Sequence, residues 1–266
     1  VYALLIDPKN QQLYARANIE STAKLIRFSL EDSSDYEVYD EAQYFAQQRY
    51  SSNALFWDDS DQNDLKIIES QSFRNWAGTL SSFSINTKQL TSLHSVNEET
   101  LTDTDGILFE TGGAAYDRIN NRYLFATGGQ MAVEYHAIVA VNPKTLKQTV
   151  LSSNAVGEGE QFSGSLGAGM NQWLSGVAIN ERTQTLYVFE TVTGKLIEID
   201  LKTGNRRLTA NLHYASGDDP ALYGYTFHLD EIDNVIYAME SSRAAMRVID
   251  TETGENVILS HSRNTL

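Results

Sequence analysis

Residues 185–208, TLYVFETVTGKLIEIDLKTGNRRL, form two short apolar bursts split by a polar turn and closed by Lys-Thr-Gly. Period-two alternation of β-branched and aromatic residues over so short a run reads as strand rather than helix, and Thr-Gly reads as a turn. Much the same phrase returns at residues 234–259 as NVIYAMESSRAAMRVIDTETGENVIL. The chain repeats itself.

Working outward, an apolar residue, an Asp or Asn, a polar turn and two large apolar residues occur in IDPKNQQLY, YDRINNRYL, INERTQTLY and LDEIDNVIY, with WDDSDQNDLKI as a copy one residue longer. The anchoring residues are Asp7, Asp58, Asp117, Asn180 and Asp230, separated by 51, 59, 63 and 50 residues. Each anchor leads to a second alternating segment with its own turn: IRFSLEDSS, FSINTKQL, VAVNPKTL, IEIDLKTG and RVIDTETG. Each unit therefore holds two hairpins. For the unit that contains residues 185–208, the pattern predicts strands near 176–180, 185–190, 195–201 and 206–210.

Four-stranded units of this length that cannot bury both faces alone must pack face to face, which is the logic of a propeller blade. The expected fold is all-β, a β-propeller of four-stranded antiparallel blades, with five repeat units countable in one domain over residues 1–266. A β-sandwich also gives short strands at regular spacing, but has no reason to repeat the same Asp and Thr-Gly positions. Val1 falls at an inner strand and HSRNTL follows an outer one, so the reading leaves five blades closing by edge packing, or six with one trimmed away.

Thirty-five acidic against twenty basic residues give a formal charge of −15, which repels phosphate backbones, so no nucleic-acid partner is expected. The absence of cysteine excludes disulfides, thiolate zinc sites and cysteine nucleophiles. The apolar runs, such as AIVAV, fall far short of the roughly 20 residues a membrane helix needs, so no membrane insertion is expected. The start VYALLID, without Met or leader, reads as a mature or trimmed product, from which localisation cannot be read directly; the setting expected for the chain is periplasmic or secreted.

Residues 157–201, GEGEQFSGSLGAGMNQWLSGVAINERTQTLYVFETVTGKLIEIDL, resemble an NHL-type repeat, in which a Gly-rich lead with a Phe precedes GVAVD, LYVAD and IDL.TG-like strands. The resemblance implies a six-bladed-type propeller of the broad group of NHL-repeat proteins and gluconolactonase-like or strictosidine-synthase-like enzymes. For the gluconolactonase-like branch it would further imply an axial calcium held by an EGP-type Glu, an NG Asn and an SDG Asp. The inner-strand leads NALFWD, GGAAYD, LSGVAIN and YGYTFH carry none of that set.

Other candidates for chemistry are sparse. In DDSDQND, Asp59, Asp61 and Asn63 have the odd spacing of a calcium loop, but Asp64 replaces its Gly and Ser70 its closing Glu. Asp103 and Asp105 in TDTDG are the better start for a Ca²⁺ site, and no other cofactor is expected. The histidines at 94, 136, 213, 228 and 261 show no metal-ligand spacing, though His228 lies on an inner strand. GEGEQFSGSLGAG carries Glu158 and Glu160 without Lys, the wrong charge for phosphate, and reads as a mobile loop.

Aligning the second strands brings Ala17, Glu69, Thr127, Glu190 and Glu240 to one position, at the end where the strand turns toward the third. That end also gathers Phe73, Arg74 and Trp76, Arg243, and the inter-blade residues Trp173, Tyr223 and Tyr225. A rigid scaffold with variable loops at one mouth is a recognition design. The expectation is a non-catalytic module that binds a protein or small ligand through Arg74, Trp76, Trp173, Glu190, Tyr225, Glu240 and Arg243. The opposite face, built of tips such as PKNQQ and NERTQ, is expected to be plain solvated turns. The competing readings are a metal-dependent hydrolase or lactonase, and a scaffolding propeller within a larger envelope protein.

Overall fold

A computed structural model describes residues 3–7, 9–19, 22–32, 34–40, 52–57, 64–71, 77–96, 111–127, 136–163, 174–190, 193–212, 225–240 and 245–261. Among them all regular structure is strand. The sheets are β1 (Ala3–Asp7) to β4 (Tyr36–Asp40) through β2 (Gln12–Ile19) and β3 (Thr22–Ser29), and β5 (Ser52–Trp57) to β8 (Gln89–Val96) through β6 (Asp64–Gln71) and β7 (Ala77–Ser84). Next come β9 (Thr111–Asp117), β10 (Arg122–Thr127), β11 (Ala137–Val141) and β12 (Gln148–Ser153), then β13 (Leu174–Asn180), β14 (Thr185–Glu190), β15 (Lys195–Asp200) and β16 (Arg206–Asn211). The last sheet is β17 (Tyr225–Asp230), β18 (Val235–Glu240), β19 (Ala245–Asp250) and β20 (Asn256–His261).

In every sheet the strands pair in chain order and antiparallel, so each of these five sheets is one repeat and strands pair only within their own unit. The fold is a β-propeller of four-stranded blades. The boundaries expected for the fourth unit agree with β13 to β16 to within two residues.

The repeated anchor works through its side chain. Asp7 accepts the Asn10 N–H (3.1 Å), Asp117 the Asn120 N–H (3.1 Å), Asn180 the Thr183 N–H (3.0 Å), and Asp230 the Ile232 N–H (2.9 Å). The fourth residue after each anchor, Gln11, Asn121, Gln184 or Asn234, is left-handed, with φ between 48° and 55°. A side-chain-capped turn followed by one left-handed residue is how a short hairpin closes without splaying its strands.

The second hairpin repeats the device. Asn142, Asp200 and Asp250 each accept two N–H bonds from the residues two and three ahead. Here the left-handed residue is Leu146, Gly204 or Gly254. Gly204 is also a contact point, because a Cβ there would lie 2.0 Å from the Leu151 carbonyl oxygen on the preceding blade. Gly254 bears the same relation to Thr209, at 2.3 Å. The recurring Thr-Gly is thus a turn residue and a docking point at once.

The chain packs as two compact units, Val1–Glu110 with two blades and Thr111–Leu266 with three. In the first, Tyr14, Leu25 and Tyr39 of one blade are buried against Leu55, Leu65, Ile67 and Phe83 of the next. In the second, Leu124, Ala126, Ile138 and Ala140 meet Leu186, Val188, Ile197 and Ile199. On the following interface, Tyr187, Phe189 and Leu196 meet Ile236, Ala238 and Ile249. Inner strands β9 and β13 run so close that a Cβ on Gly112 would fall 1.7 Å from the Leu174 carbonyl oxygen. Only glycine fits there.

Candidate functional site

Antiparallel order puts the turns from second to third strand, and the linkers between blades, at one end of each sheet. Within Thr111–Leu266, the register Leu174↔Glu190↔Lys195 and Tyr225↔Glu240↔Ala245 sets Glu190, Tyr225 and Glu240 at that end of consecutive blades. Arg74, Trp76, Trp173, Arg243, Asp103 and Asp105 lie outside the described residues, as do the Asp59, Asp61 and Asn63 loop and Tyr223.

Glu190 is buried rather than presented to solvent. Its carboxylate accepts the Ser163 N–H (2.5 Å) and the Thr193 hydroxyl, while its carbonyl accepts the Gly194 N–H (3.0 Å) that closes the turn into β15. Ser163 is gripped from a second side, since its carbonyl lies 3.1 Å from Nδ1 of buried His136. Glu190 and His136 together fix the root of the linker that leads from the third blade to the fourth.

That linker has a defined path over residues 154–163, in contrast to the mobile loop expected from its glycines. Its order comes from Arg206, the first residue of β16, whose Nε donates to the Glu160 carbonyl (2.5 Å). Nη1 of Arg206 donates to the Ser152 hydroxyl (2.9 Å) and to the carbonyls of Ser153 (2.6 Å) and Val156 (2.8 Å). The guanidinium also stacks 5.2 Å from the ring of buried Phe162, and burial lowers its pKa. Arg206 N–H to the Glu158 carbonyl (2.7 Å) and Glu160 N–H to the Arg206 carbonyl (3.2 Å) lay the linker along the outer strand. The Lys195–Glu160 ion pair (2.6 Å) adds a tie to β15.

Arg206 and His136 escape sequence reasoning because the partners described above are mostly backbone carbonyls, which leave no sequence pattern. The one legible hint is Phe162, an isolated aromatic in a run of Gly, Glu and Ser.

The other end of these three blades is knit together. Asn120 donates to the Gln184 side chain (3.2 Å) and Arg118 pairs with Glu181 (3.5 Å). Arg182 donates to Asn234 (2.7 Å), and the Glu181 N–H donates to the Glu231 carboxylate (3.1 Å). The tips INNR and NERTQ therefore bind their neighbours in sequence along the unit, which plain solvated turns would not do. His228, on β17, is exposed. Among the described residues no group of three or more His, Asp or Glu side chains is placed to hold a metal ion.

No protein-family model matches the sequence, and no curated protein matches it. Solved structures do. The chain is similar to the crystal structure of a nidogen/laminin complex, with 12% identity and a TM-score of 0.63 over 98% of this chain and 78% of that one. An auxiliary nutrient binding protein from Bacteroides thetaiotaomicron matches at 12% identity and a TM-score of 0.64 over 97% of this chain, which spans only 56% of that protein. The β-propeller domain of Myceliophteria thermophila Cps50 (Swd1) matches at 12% identity and 0.51 over 99% of this chain and 72% of that one. At such identities the likeness establishes the propeller fold, in agreement with the resemblance read from residues 157–201.

Proposed function

We propose that this propeller is a non-catalytic recognition module, working outside the cytoplasm, which binds a protein or small ligand at the end where linkers and second-to-third turns emerge. The observation that carries the reading is the contrast between the two ends of Thr111–Leu266. At the tip end, polar side chains are consumed in holding neighbouring blades together. At the other end, His136, Glu190 and Arg206 fix the root of a linker whose continuation bears Trp173. Loops grafted on rigid roots bind without a large ordering cost.

On this reading the contact residues are Arg74 and Trp76 in Val1–Glu110 and Trp173, Tyr225, Glu240 and Arg243 in Thr111–Leu266, each at the loop end of its own unit, and Glu190 supports those of the second unit from below. The names of the nutrient binding and nidogen/laminin neighbours accord with binding as the activity. A thermal-shift screen of soluble saccharides and peptides tests it, since a ligand that binds only the folded state raises the melting temperature by mass action. Truncating Trp or Arg anchors commonly costs about 2 kcal/mol or more. Trp76→Ala with Arg243→Ala should therefore weaken a hit at least about tenfold, while Lys9→Ala leaves it unchanged. The reverse pattern would refute the choice of surface.

A further inference from the structure

Both hairpins of a blade turn at the same end of its sheet, so the three consecutive blades of Thr111–Leu266 carry all their hairpin tips at that end. Charge is graded across them. The tips of the third blade, 117–122 and 142–147, hold Arg118, Arg122, Lys144 and Lys147 against Asp117, a formal +3. Those of the fourth, 180–184 and 200–205, hold Arg182 and Lys202 against Glu181 and Asp200, and balance. Those of the fifth, 230–234 and 250–255, hold Asp230, Glu231, Asp233, Asp250, Glu252 and Glu255 with no Lys or Arg, a formal −6.

The bonds between neighbouring tips leave the two extremes of this gradient standing. Among the described residues none of the six fifth-blade carboxylates is in an ion pair, and neither is the ammonium of Lys144, Lys147 or Lys202. Lys144, Lys147, Asp233, Glu252 and Glu255 are exposed. Two isoleucines stand out beside them: Ile119 and Ile232, each two residues after its anchor, are 61% and 87% exposed. Arg182 holds that position in the blade between them.

We propose that this end docks the same end of a second copy of the chain, about a twofold axis that runs along the tips of the fourth blade. A surface positive on one side, neutral in the middle and negative on the other is complementary to itself when turned over about such an axis. The third-blade tips of each copy then face the fifth-blade tips of the other. The isoleucines of the two copies are brought together, an apolar contact inside a charged rim. Two chains of formal charge −15 repel, but at about 0.15 M salt the screening length is about 8 Å, so the charges nearest the contact decide, and their signs are opposite. The arrangement makes no use of the loop end proposed to hold the ligand.

The test is the oligomeric state of the intact chain by light scattering and sedimentation, from about 1 to about 200 µM, because association depends on concentration by mass action. A dimer is expected at about 0.15 M salt, with a Kd at least about tenfold higher at about 1 M, where the screening length falls to about 3 Å. One variant carries Lys144→Glu and Lys147→Glu, and a second carries Asp233→Lys, Glu252→Lys and Glu255→Lys. Both change exposed side chains and keep the turn acceptors Asn142, Asp230 and Asp250. Each alone should dimerise at least about tenfold more weakly, with an unchanged β-sheet circular dichroism spectrum, because the opposite charges no longer face each other. An equimolar mixture of the two should associate more tightly than either alone, because one half of the interface is then native in both partners. A native chain that stays monomeric throughout, variants that dimerise as the native chain does, or a mixture no tighter than its components overturns the proposal.

Discussion

Replacing Arg206 with Met should unfasten the linker between the third and fourth blades while leaving the sheets in place. The guanidinium donates to four carbonyls and one hydroxyl, among them a long contact to Gly157 (3.5 Å). The carbonyls of Ser153 and Val156 keep a partner in the variant, because each also accepts an N–H from the other residue. The Glu160 and Gly157 carbonyls lose the donor described above. Both lie in part-exposed residues, where water takes up some of the loss; at about 0.5–1.5 kcal/mol for each of the guanidinium's five bonds, the total comes to roughly 2–7 kcal/mol. The variant no longer buries a charge, which offsets part of this, so a net loss of about 3 kcal/mol is expected.

For a chain of this size that corresponds to a fall of roughly 6–12 °C in melting temperature. Calorimetry gives the magnitude, and hydrogen exchange gives the place: peptides spanning 153–163 should exchange faster, with β17 to β20 unaffected. A loss below about 1 kcal/mol, or acceleration spread evenly over the chain, would refute the claim that Arg206 holds this segment.

Three further outcomes are expected. Gly112→Ala drives a Cβ into the Leu174 carbonyl oxygen and should cost about 3 kcal/mol, measured by urea unfolding; a near-neutral result would mean β9 and β13 are not in such close contact. Gln11→Gly relieves a left-handed residue with φ 52° and should stabilise the chain by about 0.5–1 kcal/mol, which a lowered urea midpoint would contradict. Hydrogen bonds from the Thr203 and Thr253 N–H groups hold the carboxyls of Asp200 and Asp250 below the ordinary value of 3.8. A depressed folded pKa gives stability that is complete above the unfolded value and lost as pH falls through the folded one. Melting temperature should therefore drop more steeply below pH 4 for the native chain than for Asp200→Asn, which keeps the turn acceptor but cannot titrate. Equal slopes would argue against the assignment.

The fold was legible because its determinants are local. Asp7, Asp117, Asn180 and Asp230 cap a turn within three residues of themselves, and Gly204 and Gly254 take a backbone angle that few other residues tolerate, so both leave a periodic mark. The interlocking of the tips was not legible. Arg182 looks like any surface arginine, and its bond to Asn234 spans 52 residues of sequence. Glu190 shows the same limit differently: its recurrence with Glu69 and Glu240 pointed to one end of the blades, while its burial against Ser163 depends on where a linker happens to pass.

The central claim is that recognition belongs to the end where linkers and second-to-third turns emerge, and hydrogen-exchange footprinting of the chain with a ligand from the thermal-shift screen tests it most directly. Protection is expected in peptides covering 72–76, 164–173, 213–225 and 241–244. Unchanged exchange is expected at 9–11, 181–184 and 231–234. Protection at those tips, with none at the loops, would contradict the account.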